Sequence, residues 1–179
     1  MYLAGVDSSG KLEYIAIVAC RTDKLGDVFS ALSLRPGFHM SKRSRATKRK
    51  VASAFIKAAG EMSYLKTLCI RASINRLAED LSHKYRVPFT KALNRVRHLC
   101  QKKFLKLLKR LDVREIHYDH ELGPLMEGFQ GKKMPKGPAM TLADILAWIN
   151  LRRSDLSIDE PEAIIFIDLE RELHKRLGL

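Results

Sequence analysis

Asp7, Asp119 and Asp144 each stand at an end of an apolar stretch. They occur in Leu3-Ala4-Gly5-Val6-Asp7-Ser8-Ser9-Gly10, in Ile116-His117-Tyr118-Asp119 and in Thr141-Leu142-Ala143-Asp144-Ile145-Leu146-Ala147-Trp148. A carboxylate beside buried backbone is costly unless it is paired, hydrogen-bonded or bound to a cation. Two of these groups end candidate strands and one opens a candidate helix, so chain folding could bring all three to one sheet edge around a hard metal ion. Each also has a plainer reading. Asp7 could cap a hairpin turn through its own backbone, and Asp119 could close a strand in the same way. Thr141-x-x-Asp144 has the spacing of a helix capping box.

His117, Asp119, His120 and Glu121 form the other compact set of potential ligands. On a strand His117 and Asp119 share a face while His120 points away. His117 could serve hydrolysis as a proton shuttle, or it could be one half of a polar surface pair.

Cations to meet an anionic substrate are plentiful. With 33 basic and 20 acidic residues the chain carries a formal charge of +13, which attracts polyanions and points to nucleic acid as partner. Lys42, Arg43, Arg45, Lys48, Arg49 and Lys50 form an acid-free run, and Arg95, Lys102, Lys106 and Lys109 project together from one predicted helix. Such stripes can follow a phosphate backbone; the alternative is a solvated helix face. No acid lies between Lys91 and Arg110, whereas a solvated helix usually mixes signs. Lys132, Lys133 and Lys136 could clamp substrate from a loop. Only 7% of residues are aromatic, so base stacking on an open sheet is not the expected binding mode, and Trp148 reads as core.

The elements that must position these groups follow from periodicity. Residues 2 to 7 and 13 to 20 are short runs rich in Ile, Val and Tyr around Ser8-Ser9-Gly10-Lys11, the pattern of a β-hairpin, with Asp7 where strand becomes turn. Phe29 to Met40 reads as an irregular extended segment. From Ser44, Val51, Ala54, Phe55, Ala58 and Ala59 recur at helical spacing. Tyr64 to Arg71 reads as a buried strand, and a helix then starts at Ser73 or Asn75 and is interrupted by Val87-Pro88. Thr90 to Leu111 carries an apolar stripe of Leu93, Val96, Cys100, Phe104, Leu107 and Leu111. Val113 to Tyr118 alternates as a half-buried strand ending at Asp119. Gly123 to Pro138 lacks periodicity and reads as a long, mobile loop, of a length that is often functional in compact domains. A helix covers Thr141 to about Arg153. Ala163 to Ile167 is a strand or buried turn before an amphipathic helix from Asp168 to Leu177. A hairpin followed by alternating helices and strands makes one α/β domain over 1–179, with a mixed sheet covered by helices.

A chain of 179 residues can bury a sizeable core without disulfide or metal. Cys20, Cys69 and Cys100 are odd in number and set in apolar runs, as suits reduced, structural thiols in a cytoplasm. No run reaches membrane-spanning length and no basic leader is present, so a cytoplasmic protein is expected. No glycine-rich phosphate loop, nucleophile elbow or paired-cysteine metal pattern occurs.

The order of elements, with an aspartate ending the first strand, resembles the ribonuclease H-like superfamily. Gly5-Val6-Asp7-Ser8-Ser9-Gly10, Ile116-His117-Tyr118-Asp119-His120-Glu121 and Leu142-Ala143-Asp144-Ile145-Leu146-Ala147 are similar to a branch of predicted nucleases in it. That branch has a first-strand Asp-Glu-Ser-Gly, a late-strand Asp and a helical Ala-Asp-Leu-Ile-Ala. The resemblance implies a ribonuclease H-like mixed central sheet, β-hairpin first, flanked by helices. It also implies Mg2+- or Mn2+-dependent phosphodiester hydrolysis of RNA, DNA or their hybrid by clustered carboxylates around two cations. Asp7 would then bridge the metals while Asp119 and Asp144 each hold one. Ser8 stands where the branch carries a second acid. Arg71-Ala72-Ser73 ends the middle strand where better-known ribonucleases of the superfamily place a carboxylate. Glu121 is the nearest substitute for that fourth ligand, and Glu61 a weaker one. The second reading is a nucleic-acid-binding module that keeps the fold without catalysis, and a third is a partner of acidic proteins.

Overall fold

The computed structural model describes residues 1–129, 131–133, 137–152 and 163–179, with the side chains of 131–133 outside the description. Its sheet has six strands in the order β5-β4-β1-β2-β3-β6. These are β1 (Tyr2–Ser9), β2 (Tyr14–Arg21), β3 (Leu65–Arg71), β4 (Val113–Tyr118), β5 (Gly131–Lys133) and β6 (Ile165–Asp168). β2 runs antiparallel to both β1 and β3, while β4 is parallel to β1 and β5, and β6 is parallel to β3. Every strand except β2 therefore points the same way, and their carboxyl ends share one edge. This is the hairpin-first mixed sheet flanked by helices expected from the order of elements. The carboxyl edge of such sheets is where ligands bind.

Strand periodicity sorts the core into two layers. Ala4 and Val6 of β1, Ile15 and Ile17 of β2, and Leu68 and Ile70 of β3 pack under α3 (Ile74–Tyr85), α4 (Phe89–Arg110) and, near the chain end, α7 (Leu169–Leu177). The alternate residues Ala16, Val18, Cys20, Leu65 and Cys69 pack under α1 (Leu25–Leu32), α2 (Arg45–Glu61) and α6 (Pro138–Leu151). α6 is the most enclosed helix: Leu142, Ile145, Leu146 and Ile149 are all buried. All three cysteines are free and buried, as expected.

Several elements differ from the sequence reading. The stretch from Phe29 is not extended. Val28, Phe29 and Leu32 bury one face of α1, and Ser33 in the left-handed conformation closes it by donating its N–H to Phe29 and Ser30 carbonyls. Spacings of one and four read as mixed because the helix has only two turns. β1 continues through Ser9, so Asp7 lies inside a paired strand opposite Ala16 rather than at the turn. The predicted loop at 123–138 contains α5 (Gly123–Met126), started by Pro124, and the edge strand β5. Both are too short to show a period. Lys136 lies outside the described residues, as does Arg153, the expected end of the helix after Thr141. On α4 the buried stripe is Ala92, Val96, Cys100, Phe104 and Leu108. Leu93, Leu107 and Leu111 sit half-buried at its margins. α6 begins at Pro138 behind Gly137, a full turn before Thr141.

Candidate active site

β1 and α6 meet most closely at Gly5. A β-carbon there would stand 2.0 Å from the Ala139 carbonyl oxygen, so only glycine lets the helix rest on the strand. Gly5 and Asp7 are two residues apart and share the face that α6 covers. His117 pairs with Gly5 across the β1–β4 ladder, which puts His117 and Asp119 toward the same face. Asp144 comes down to this edge from α6.

The electrostatics of Asp7 record that convergence. Its carboxyl is pushed up to about 7, first by burial and then by the negative charges of Asp144, Asp119 and Glu121, against the lowering effect of the Ser8 N–H. The Ser8 N–H donates to Asp7 Oδ1 at 2.8 Å. Asp144, Asp119 and the proposed substitute Glu121 thus all act on Asp7, although they lie far from it in the chain. Among the described residues, however, no three His, Cys, Asp or Glu side chains stand together as a set ready to hold a metal ion.

Two of the three plain readings change in the fold. Asp7 bonds its neighbour's N–H inside the ladder and caps no turn. Asp144 lies in the middle of α6, so it is not the third residue of a capping box; the Thr141 N–H donates to the Gly137 carbonyl within the helix start. Asp144 Oδ2 instead accepts from the Met40 N–H at 2.8 Å, and His39 Nδ1 lies 3.7 Å from the same oxygen. The Asp144 side chain is 25% exposed. Asp119 does keep a capping role: its Oδ1 accepts from the His120 N–H and starts the 3-10 turn His120–Leu122.

His117 forms a polar pair, as one of its two readings had it, but a buried one. It is 6% exposed, with Nε2 3.1 Å from Glu115 Oε1 and Nδ1 without a hydrogen-bond partner among the described residues. Glu61 ends α2 in solvent, 3.9 Å from Lys57, and is not among the groups acting on Asp7.

The segment joining α1 to α2 is a part of the site that the sequence did not single out. The Gly37 N–H donates to Thr141 Oγ1 at 2.9 Å and the Met40 N–H to Asp144, three residues on in each partner. Phe38 and Met40 are buried beneath it, and the Arg43 guanidinium stacks on the Phe38 ring at 4.9 Å. The signal was an apolar Phe38-x-Met40 in a polar run.

No family model and no curated protein matches the chain. A solved structure it is similar to is that of the PCNA:RNase HII complex from Archaeoglobus fulgidus, at 15% identity and a TM-score of 0.47 over 99% of this chain and 77% of that one.

The basic groups divide between the two layers. Lys42, Arg43, Arg45, Lys48 and Arg49 lie at the start of α2, on the Asp144 side, and all but Lys48 are exposed. Ser44 caps that helix by accepting from the Thr47 N–H. Lys102 and Lys106 are exposed on α4, which covers the opposite face. The backbone of Lys132 and Lys133 belongs to β5 beside His117 and Tyr118. No helix among the described residues is long and apolar enough to cross a membrane.

Proposed function

We propose that this protein is a divalent-metal-dependent nuclease whose carboxylate set is Asp7, Asp119, Asp144 and Glu121. What supports this reading is the meeting of β1, β4 and α6 at one sheet edge, where Asp7 is buried and Asp144, Asp119 and Glu121 add to the rise of its carboxyl. Such a concentration of like charge at a sheet's carboxyl edge is a mark of functional sites, and a bound cation would relieve it. The donors suit magnesium or manganese, which take hard carboxylate oxygens. Asp7, Asp119 and Asp144 would hold the ions. Bound ions supply Lewis acidity and a more acidic water for phosphodiester hydrolysis.

The chain's own groups would do the rest. The Met40 N–H orients the Asp144 carboxylate, and the run from Lys42 to Arg49 receives the phosphates of RNA or DNA next to it. The test is cleavage of labelled oligonucleotides in magnesium or manganese. Asp7→Asn and Asp144→Asn should each lower the rate by roughly 100-fold or more, in the range set by loss of a transition-state interaction, while binding in EDTA persists. Cleavage that survives both changes would remove the carboxylates from the chemistry.

A second reading, a nucleic-acid-binding module without catalysis, is favoured by one observation. The described side chains form no ready group of three metal donors, and Ser8 occupies the place of the second acid. Salt-dependent binding, absent cleavage and no response to manganese would select it.

A further inference from the structure

A cluster of cations lies along the same sheet edge, at the far side from β4. Arg71 at the end of β3 and Arg76 on α3 both bridge to Glu170 on α7. Ser73 Oγ donates to the same carboxylate at 2.7 Å. Glu170 is 9% exposed, so its charge is spent inside the protein on holding two guanidiniums in fixed positions. A buried carboxylate so fully bonded is a rigid brace. Beside it opens a cleft of about 560 Å³ whose lining includes Arg71, Arg76, Arg171, Lys175 and Asp168. Asp168 Oδ1 is taken up in capping α7, where it accepts from the Arg171 N–H. Among the described residues no carboxylate forms an ion pair with Arg171 or Lys175, and both side chains are exposed. Four cations thus line a cleft in which Glu170 is paired and Asp168 gives one oxygen to the helix cap.

The place of the cleft relative to Asp7 is set by the ladder. Ser9 pairs with Tyr14, Tyr14 with Arg71, and Arg71 with Asp168, a row across four strands that starts two residues from Asp7; Asp7 lies on the α6 face and the cleft opens at the edge on the α3 and α7 side. Three strand spacings of ~4.8 Å across the row and two residues of ~3.4 Å along β1 give about 16 Å from Asp7, on the order of five rises of ~3.4 Å along one strand of a duplex. We infer that the cleft between α3 and α7 binds the sugar-phosphate backbone of the nucleic acid whose reacting phosphodiester lies at Asp7. The inference rests on the nuclease reading for where the strand leads, but the binding itself needs no metal. Lys106 and Arg110, which line the neighbouring cleft on the other side of α7, continue the positive surface outward.

The test is equilibrium binding of a fluorescent 20-nucleotide duplex to the full chain in EDTA across a salt series. The variant is Arg171→Ala/Lys175→Ala, whose side chains are exposed and outside the core. Each lost phosphate contact lowers the slope of log affinity against log salt by about 0.9, so the double variant should lose nearly 2 from the slope. At low salt it should bind roughly 10-fold or more weakly. Unchanged affinity and slope would overturn the inference. Absence of manganese-dependent cleavage by the unaltered protein would count against the carboxylate reading alone, since the EDTA measurement does not depend on it. Glu170→Gln, which unbraces Arg71 and Arg76, should weaken binding without reducing the slope to the level of the double variant.

Discussion

The Gly5 backbone lies directly against the Ala139 carbonyl, so close that a β-carbon would meet that oxygen at 2.0 Å. This contact sets the height of α6 over β1, and with it the distance from Asp144 to Asp7. Gly5→Ala should cost about 1–3 kcal/mol by overpacking and reduce cleavage by more than the lost stability explains. Denaturant unfolding and activity below the melting range separate the two effects.

The Asp7 carboxyl ordinarily titrates near 3.8 and here near 7. The folded state therefore holds this proton more tightly than the unfolded state, and the contribution of Asp7 to stability falls as pH rises from about 4 to about 7, then stays low. Asp7→Asn should melt with the parent protein at pH 4 and above it at pH 8. At about 1.4 kcal/mol per pKa unit the gap is at most on the order of 4 kcal/mol. Thermal melts at the two pH values check the sign.

A cation at this site would relieve the same repulsion. Manganese should raise Tm at pH 8, by the equivalent of about 2.7 kcal/mol at 100-fold excess over Kd, and have little effect at pH 5, where Asp7 is protonated. Asp144→Asn should abolish the shift. Scanning calorimetry with and without EDTA reads it.

Thr141 holds the α1–α2 segment through the Gly37 N–H. Thr141→Val should cost about 1 kcal/mol in stability, as for loss of a single hydrogen bond, while lowering kcat through misplacement of Asp144. Thr141→Ser, which keeps the oxygen, should restore the rate.

Burial pushes the Cys100 thiol up to about 12 and the Cys20 thiol up to about 11. Both should resist alkylation at pH 8 in the native protein and react promptly in denaturant, since the thiolate is the nucleophile. Mass spectrometry over time distinguishes the two states.

Regular elements of more than two turns, or strands with clean alternation, were legible from the chain. The helix after Ser44, the strand from Leu65 and the strand ending at Tyr118 stand where periodicity places them. α1, α5 and β5 were missed because a two-turn helix, a single turn and a three-residue edge strand carry too little pattern to distinguish. The start of α6 was misplaced for another reason. Thr141 offers capping chemistry, but Pro138 behind Gly137 opens the helix a turn earlier, and burial on all sides erased any amphipathic stripe.

Alone, the order of residues determined which groups were available: three aspartates beside apolar runs, a surplus of cations, buried thiols, and a hairpin-first α/β order. Those properties are local, because side-chain chemistry and periodicity are written in neighbouring residues. Tertiary structure decided that Asp144 comes within electrostatic reach of Asp7, that the Met40 N–H holds Asp144, and that Glu170 gathers Arg71 and Arg76. Such relations arise only when strands of distant sequence share one ladder and a helix settles on the single glycine that admits it.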